Sequence, residues 1–219
     1  MSTFLHISAS SRTANSHSRR LGQRASERIR AAHPALKLCR RDLAQPFLPH
    51  PDEAFVEASL RPPLDRDAND RAALALSESL IAELEVSDLL VIDFPMYNFA
   101  LPSSLKAWLD LVLRPNRTFR VTAKGKIGVL ADRPAICIMA AGGRFDGPQA
   151  QPDFATPHLR HALQTIGIAS SRFFIADRAG RAERQETDRD FDRWIGGLLT
   201  AVGPGPAPHR QSLPSSEPR

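Results

Sequence analysis

Leu89 to Phe94 is a near-continuous apolar run with the length of a single strand. A strand apolar on both faces belongs in a parallel sheet covered by helices on both sides. The run passes directly into Pro95-Met96-Tyr97-Asn98-Phe99-Ala100-Leu101-Pro102, a loop with a proline fixing the backbone at each end. Open α/β sheets hold ligands in the crevice beyond the carboxyl ends of their strands. Met96, Tyr97 and Phe99 offer that position a flat apolar surface, with Asn98 as a polar contact. A planar heteroaromatic ring edged with donors and acceptors suits such a shelf. The plain alternative for this stretch alone is a surface loop with a small hydrophobic plug.

The chain around it repeats the same strand–loop–helix grammar. Thr3 to Ser8 reads as a first strand, and residues 8–18 form a hydroxyl-rich loop carrying Ser8, Ser10, Ser11, Thr13, Ser16 and Ser18. A helix starts near Ser16 to Ser18, with Leu21, Ala25, Ile29 and Ala32 on one face. A helix N-terminus presents unpaired N–H groups and the positive end of its dipole, which suits a phosphate, and Ser10, Ser16 and Ser18 can add hydroxyl donors. Capping the helix needs only one of these hydroxyls. The loop contains no glycine, which disfavours the dinucleotide fingerprint and the Walker loop.

Leu36 to Cys39 reads as the second strand, and residues 42–66, rich in proline, as a long irregular excursion. A helix is expected over 67–85 with Ala73, Leu76, Leu80, Ile81 and Leu84 as its buried stripe. Pro102 opens the next helix, in which Trp108 is expected to pack in the core or a dimer contact. Residues 114–130 alternate around a glycine-bearing turn, as in a hairpin. Ala135 to Met139 is a further strand, ending in Ala140-Ala141-Gly142-Gly143, where the glycines let backbone amides approach a ligand closely. Thr156 is expected to cap a helix with Pro157 at its first position and Leu159, Leu163 and Ile166 buried; Gly167 stops it. Phe173 to Ala176 is the last strand. Ala182 to Val202 is the last helix, burying Phe191, Trp194, Ile195 and Leu198.

Five strands alternating with helices predict an α/β, flavodoxin-like, doubly wound parallel sheet in the order 2-1-3-4-5, helices on both faces. In that order the Ser-rich loop, the Pro95–Phe99 loop and the Ala140–Gly143 edge meet at one end of the sheet. Phosphate pocket, ring shelf and amide-rich edge together suit FMN. One domain is expected over 1–202, followed by a disordered proline-rich tail over 203–219.

Composition narrows the classes further. The net charge of +5 invites a nucleic-acid reading, but 25 of the 29 basic residues are Arg spread beside acids along the whole chain, with no basic block interleaved with aromatics. Cys39 and Cys137 sit in strand contexts and are expected as buried free thiols, and no His/Cys cluster suggests a metal. No run reaches the length of a membrane span and the first residues lack the pattern of a signal peptide, which places the protein in the cytoplasm.

His6-Ile7-Ser8-Ala9-Ser10-Ser11-Arg12 with Ser16-His17-Ser18, Pro95-Met96-Tyr97-Asn98-Phe99-Ala100-Leu101-Pro102-Ser103-Ser104-Leu105-Lys106, Thr118-Phe119-Arg120 and the glycine pair resemble the FMN-dependent NADH azoreductase family, also described as NAD(P)H:quinone oxidoreductases. The resemblance implies that Ser10 and Ser16 to Ser18 bind the FMN phosphate. It places the isoalloxazine ring on Pro95, Met96, Tyr97, Asn98 and Phe99, and its pyrimidine edge at Ala140, Ala141, Gly142 and Gly143. It further implies a homodimer, NADH or NADPH as electron donor, and a small aromatic quinone or azo compound as acceptor. The chain departs from the family at Ala140-Ala141, where a hydroxyl is usual, and at Ala176-Asp177-Arg178.

The expected activity is a two-step, ping-pong reduction in which the flavin carries the chemistry, so no nucleophile or general base is required of the protein. Phe99, Phe119 and Phe145 are the candidate walls of the acceptor slot. The rival readings are a flavodoxin-type electron carrier and a member of the fold without flavin. Cys137 and Arg144 do not make a phosphatase loop, because six residues separate them where five are needed.

Overall fold

The computed structural model describes residues 2–177 and 184–201; the expected tail and the end of the expected domain at 202 lie outside them. Five parallel strands form the sheet: β1 (Thr3–Ser8), β2 (Lys37–Asp42), β3 (Leu89–Pro95), β6 (Ala135–Ala140) and β7 (Ser171–Ala176). Their spatial order is β2-β1-β3-β6-β7, which is the expected 2-1-3-4-5 once the separate antiparallel hairpin β4 (Phe119–Thr122) and β5 (Gly125–Gly128) is set aside.

The pleat sends alternate residues to opposite faces. Leu5, Ile7, Leu90, Ile92, Cys137 and Met139 point to one side, where α3 (Ala68–Val86), α4 (Ser103–Val112) and α5 (Ala155–Thr165) cover them. Phe4, Leu89, Val91, Ile136 and Ile138 point to the other, under α1 (His17–Ala32) and α6 (Arg184–Ala201). Phe174, Phe191 and Trp194 lock α6 to the sheet edge with ring centroids 5.0–5.9 Å apart. Trp108 is fully buried, as expected of a core residue.

Four local expectations need correction. The excursion over 42–66 contains α2 (Glu53–Leu60), capped by the Asp52 carboxylate, which accepts from the Phe55 amide at 2.8 Å, with Phe55 and Ala58 facing the core. Prolines immediately outside both ends disguised this short helix. In α3 the buried stripe runs through Leu74 and Ser77, while Leu76 faces outward. Ser77 is tolerated inside because its hydroxyl donates to the Leu111 carbonyl at 2.6 Å and accepts from Arg114 at 2.9 Å. The N-cap of α5 is Phe154 rather than Thr156, and the preceding Asp153 carboxylate accepts the amides of both Ala155 and Thr156 at 2.9 Å, and the Thr156 hydroxyl as well. Cys39, finally, is only half-buried, while Cys137 is fully enclosed and burial pushes its thiol far up, leaving it unreactive. Among the described residues no helix is long and apolar enough to cross a membrane, and no group of His, Cys, Asp or Glu is arranged to hold a metal ion.

Candidate functional site

The loop after β1 is shaped before any ligand arrives. Ser16 is the N-cap of α1, its hydroxyl accepting from the Arg19 amide at 3.4 Å, and Ser16 and Ser18 place their hydroxyl oxygens 3.3 Å apart. Ser10 and Ser18 are buried, and the Ser104 hydroxyl at the start of α4 donates to the Ala9 carbonyl at 3.0 Å. The structure therefore brings Ser10, Ser16, His17 and Ser18 to one helix N-terminus, as the sequence suggests. A clamp that the sequence does not reveal holds them there. The Arg19 guanidinium grips both oxygens of Asp42, the last residue of β2, at 2.8 Å and donates twice to the Ser10 carbonyl at 2.6 and 3.1 Å. These bonds hold the Asp42 carboxyl below the usual carboxylate range. Nothing in the spacing of positions 19 and 42 signals the pair.

Directly beneath the loop lies a buried polar chain. Strand parity turns His6, Ser8 and Asp93 toward α1, at the carboxyl ends of β1 and β3. His6 Nε2 meets Asp93 Oδ2 at 2.7 Å, the Ser8 hydroxyl donates to Asp93 Oδ1 at 3.0 Å, and His6 Nδ1 meets the Ser26 hydroxyl at 2.9 Å. Gly22 makes room, since a Cβ there would fall on the Asp93 carboxylate. The connectivity Ser26–His6–Asp93 is that of a hydrolase triad. Ser26 is nevertheless buried inside α1 with its hydroxyl also donating to the Gly22 carbonyl at 3.1 Å, so no substrate carbonyl can reach it. The chain fixes the loop's foundation: the Asp93 carbonyl accepts from the Ala9 amide at 2.9 Å. An acid inside a strand buried on both faces is the sequence signal that points to such a partner.

The ring shelf follows β3. Met96 donates its amide to the Ala140 carbonyl at 2.8 Å and packs into the core, while Tyr97 and Ala100 exchange hydrogen bonds at 3.0 and 3.1 Å. Between them Asn98 and Phe99 adopt left-handed φ of 48° and 68°, the geometry of a two-residue turn that normally selects Asn-Gly. Phe99 is thus held in a strained conformation with 49% of its surface exposed, and Tyr97 stands beside it at 38%. Strain at an exposed aromatic is a functional-site signature. Phe99→Gly is expected to leave the melting stability of the cofactor-free protein within about 1 kcal/mol, because relief of strain offsets the lost side chain. Ring binding should weaken about tenfold. A loss above roughly 2 kcal/mol in a denaturant melt would make Phe99 a packing residue instead.

The third loop follows β6. Ala140 and Ala141 are buried, the Ala141 amide being held by the Ala176 carbonyl at 2.9 Å. Among the described residues the amides of Gly142 and Gly143 have no acceptor, leaving two donors beside the shelf. The loop returns to the shelf through the Phe154 amide, which donates to the Phe99 carbonyl at 3.1 Å. Phe145 is half-buried against the core. Phe119 is buried at the root of the hairpin, with Lys126 5.1 Å from its ring centroid. A cleft of about 480 Å³ adjoins Asn15 and Ser16 but runs away from the shelf, between Gln23 and Arg40, over His6 and Ser8. No residue of the shelf lines this cleft.

Hydroxyls and amides at a helix N-terminus fit a phosphate, outward aromatics fit a planar ring, and unpaired amides fit its polar edge. Residues 2–195 match the protein family described as having a flavodoxin-like fold. The chain is 44% identical over 202 residues to "FMN-dependent NADH:quinone oxidoreductase 2" of Cupriavidus pinatubonensis, covering 90% of this chain and 98% of that one. It is 41% identical over 178 residues to "FMN-dependent NADH:quinone oxidoreductase 5" of Burkholderia lata, covering 81% and 85% of the two chains. Among solved structures, an FMN-dependent NADH-azoreductase from Bacillus anthracis in complex with FMN superimposes with a TM-score of 0.80 at 18% identity, covering 92% of this chain and 99% of that one.

Proposed function

This chain belongs to the flavodoxin-like family of FMN-dependent NADH:quinone oxidoreductases, and on that premise we propose that it reduces quinones and azo compounds with electrons from NADH through bound FMN. The observation that carries the reading is the convergence of the three loops after β1, β3 and β6 at one end of the sheet.

When bound, FMN would accept two electrons from NADH and pass them to the acceptor. The protein's part is binding and orientation. The N-terminus of α1, with Ser10, Ser16, His17 and Ser18, holds the phosphate, and the Arg19–Asp42 clamp keeps the loop from opening. Pro95, Met96, Tyr97, Asn98 and Phe99 support the ring, and Ala140 to Gly143 border its polar edge with donors able to stabilise negative charge there. Tyr97 and Phe99 leave the open side of the shelf flat and apolar, which suits successive stacking of nicotinamide and acceptor in one slot. Phe145 lies where the glycine loop meets the core and forms one side of that slot.

A homodimer is part of this reading. Phe47, Leu60, Leu64 and Phe154 are exposed large apolar side chains, and a second copy of the chain would cover such surface. A cytoplasmic location accords with NADH as donor. Steady-state NADH oxidation tests the whole: it should require added FMN and an acceptor, and double-reciprocal plots against NADH at several quinone concentrations should run parallel. Flavin that binds without NADH oxidation would make the protein an electron carrier.

A further inference from the structure

We propose that Gln151 is a flavin contact: its side-chain carboxamide reads the N3–H and adjoining carbonyl of the ring's pyrimidine edge. This rests on the FMN reading above. Gly143 has no side chain, and the Gln151 carboxamide occupies the place where one would stand. Its carbon, oxygen and nitrogen lie 2.6, 2.7 and 2.8 Å from the position of an ideal Cβ on Gly143. Three nearly equal distances mean that the amide plane lies flat over the glycine. The placement is held from the backbone, because the Gln151 amide donates to the Arg144 carbonyl at 2.8 Å and Ala150 closes a turn onto the Gly147 carbonyl at 3.1 Å.

Gln151 is half-buried, and its carboxamide, with two donors and an acceptor, stays open to a ligand. It sits over Gly143, on the loop that Phe154 ties to the Phe99 carbonyl. Ala140 and Ala141 contribute no polar side chain to this edge. The flavin pyrimidine edge reads acceptor, donor, acceptor, from C2=O, N3–H and C4=O. A carboxamide answers it with paired complementarity, its oxygen accepting from N3–H while its nitrogen donates to a flanking carbonyl. The bare backbone amides donate only, so N3–H calls for a side-chain acceptor, and Gln151 supplies one on the glycine loop as Asn98 does on the shelf. Gly143 is then required for space: any side chain there displaces Gln151.

The test is fluorescence titration of the purified full chain and of Gln151→Leu with FMN and with N3-methyl-FMN, which lacks the donor. Wild type should bind FMN about tenfold more tightly than it binds N3-methyl-FMN, and Gln151→Leu should bind FMN about tenfold more weakly than wild type. The variant should no longer distinguish the two flavins, and its cofactor-free melting temperature should be unchanged because the residue lies on a loop. Gln151→Glu, whose carboxylate can accept from N3–H but opposes negative charge on the reduced ring, should lower the midpoint potential of bound flavin. Equal FMN affinity in wild type and Gln151→Leu would overturn the inference while leaving the FMN reading intact. Undiminished discrimination against N3-methyl-FMN in the variant would overturn it too, and failure of wild type to bind FMN would remove both.

Discussion

Ser16→Asp is expected to abolish tight FMN binding without harming the fold. Aspartate caps a helix as well as serine does, and its charge favours the positive end of α1, so the melting temperature of the cofactor-free protein should hold or rise slightly. The same carboxylate would face the phosphate. At a separation of about 5 Å, a single charge against a phosphate dianion costs about 3 kcal/mol even at an effective dielectric near 40, or roughly two orders of magnitude in affinity. A flavin titration reads this directly, with riboflavin as the control. Lacking the phosphate, riboflavin should bind wild type and variant alike. Unchanged FMN affinity would remove the phosphate from the N-terminus of α1.

The largest expected loss of stability belongs to Asp93→Ala. Asp93 is wholly enclosed and joins His6 to Ser8 across β1 and β3. Removing one member of a buried, hydrogen-bonded pair strands the other without a partner, at a cost of about 3–5 kcal/mol. For a chain of this size that is a fall of roughly 10 °C or more in the melting temperature. The loop should suffer with it, because Ser8 and Ala9 lead into Ser10. The double replacement of His6 and Asp93 by apolar residues of similar volume should recover part of the loss, since Ser26 keeps the Gly22 carbonyl and only the Ser8 hydroxyl loses its acceptor. A drop below about 1 kcal/mol for the single change would mean that the pair contributes little.

These two residues also mark how far the sequence could be read. Strands such as β3 and β6 are legible because burial on both faces makes them uniformly apolar, and Pro102 and Gly167 punctuate helices through their own backbone limits. The hydroxyl-rich loop and the aromatic shelf are legible for the same local reason: hydroxyls before a helix and aromatics between prolines carry their chemistry in the residues themselves. Features made by distant partners are not. Ser77 is buried because Leu111 and Arg114, far along the chain, satisfy its hydroxyl, so a stripe drawn through apolar residues passes it by for Leu76. Arg19 and Asp42 are 23 positions apart and meet only because β2 pairs beside β1. Gln151 becomes conspicuous only when Gly143 is seen to leave it space. Phe119 is likewise legible as an aromatic in a loop-rich segment, but its burial at the root of the hairpin is not.

The most direct measurement is the anaerobic visible spectrum of the purified protein reconstituted with FMN. A bound two-band flavin is expected that bleaches on addition of one equivalent of NADH and recovers its bands on addition of benzoquinone. A protein that binds no FMN, or binds it and keeps both bands in the presence of NADH, would contradict it.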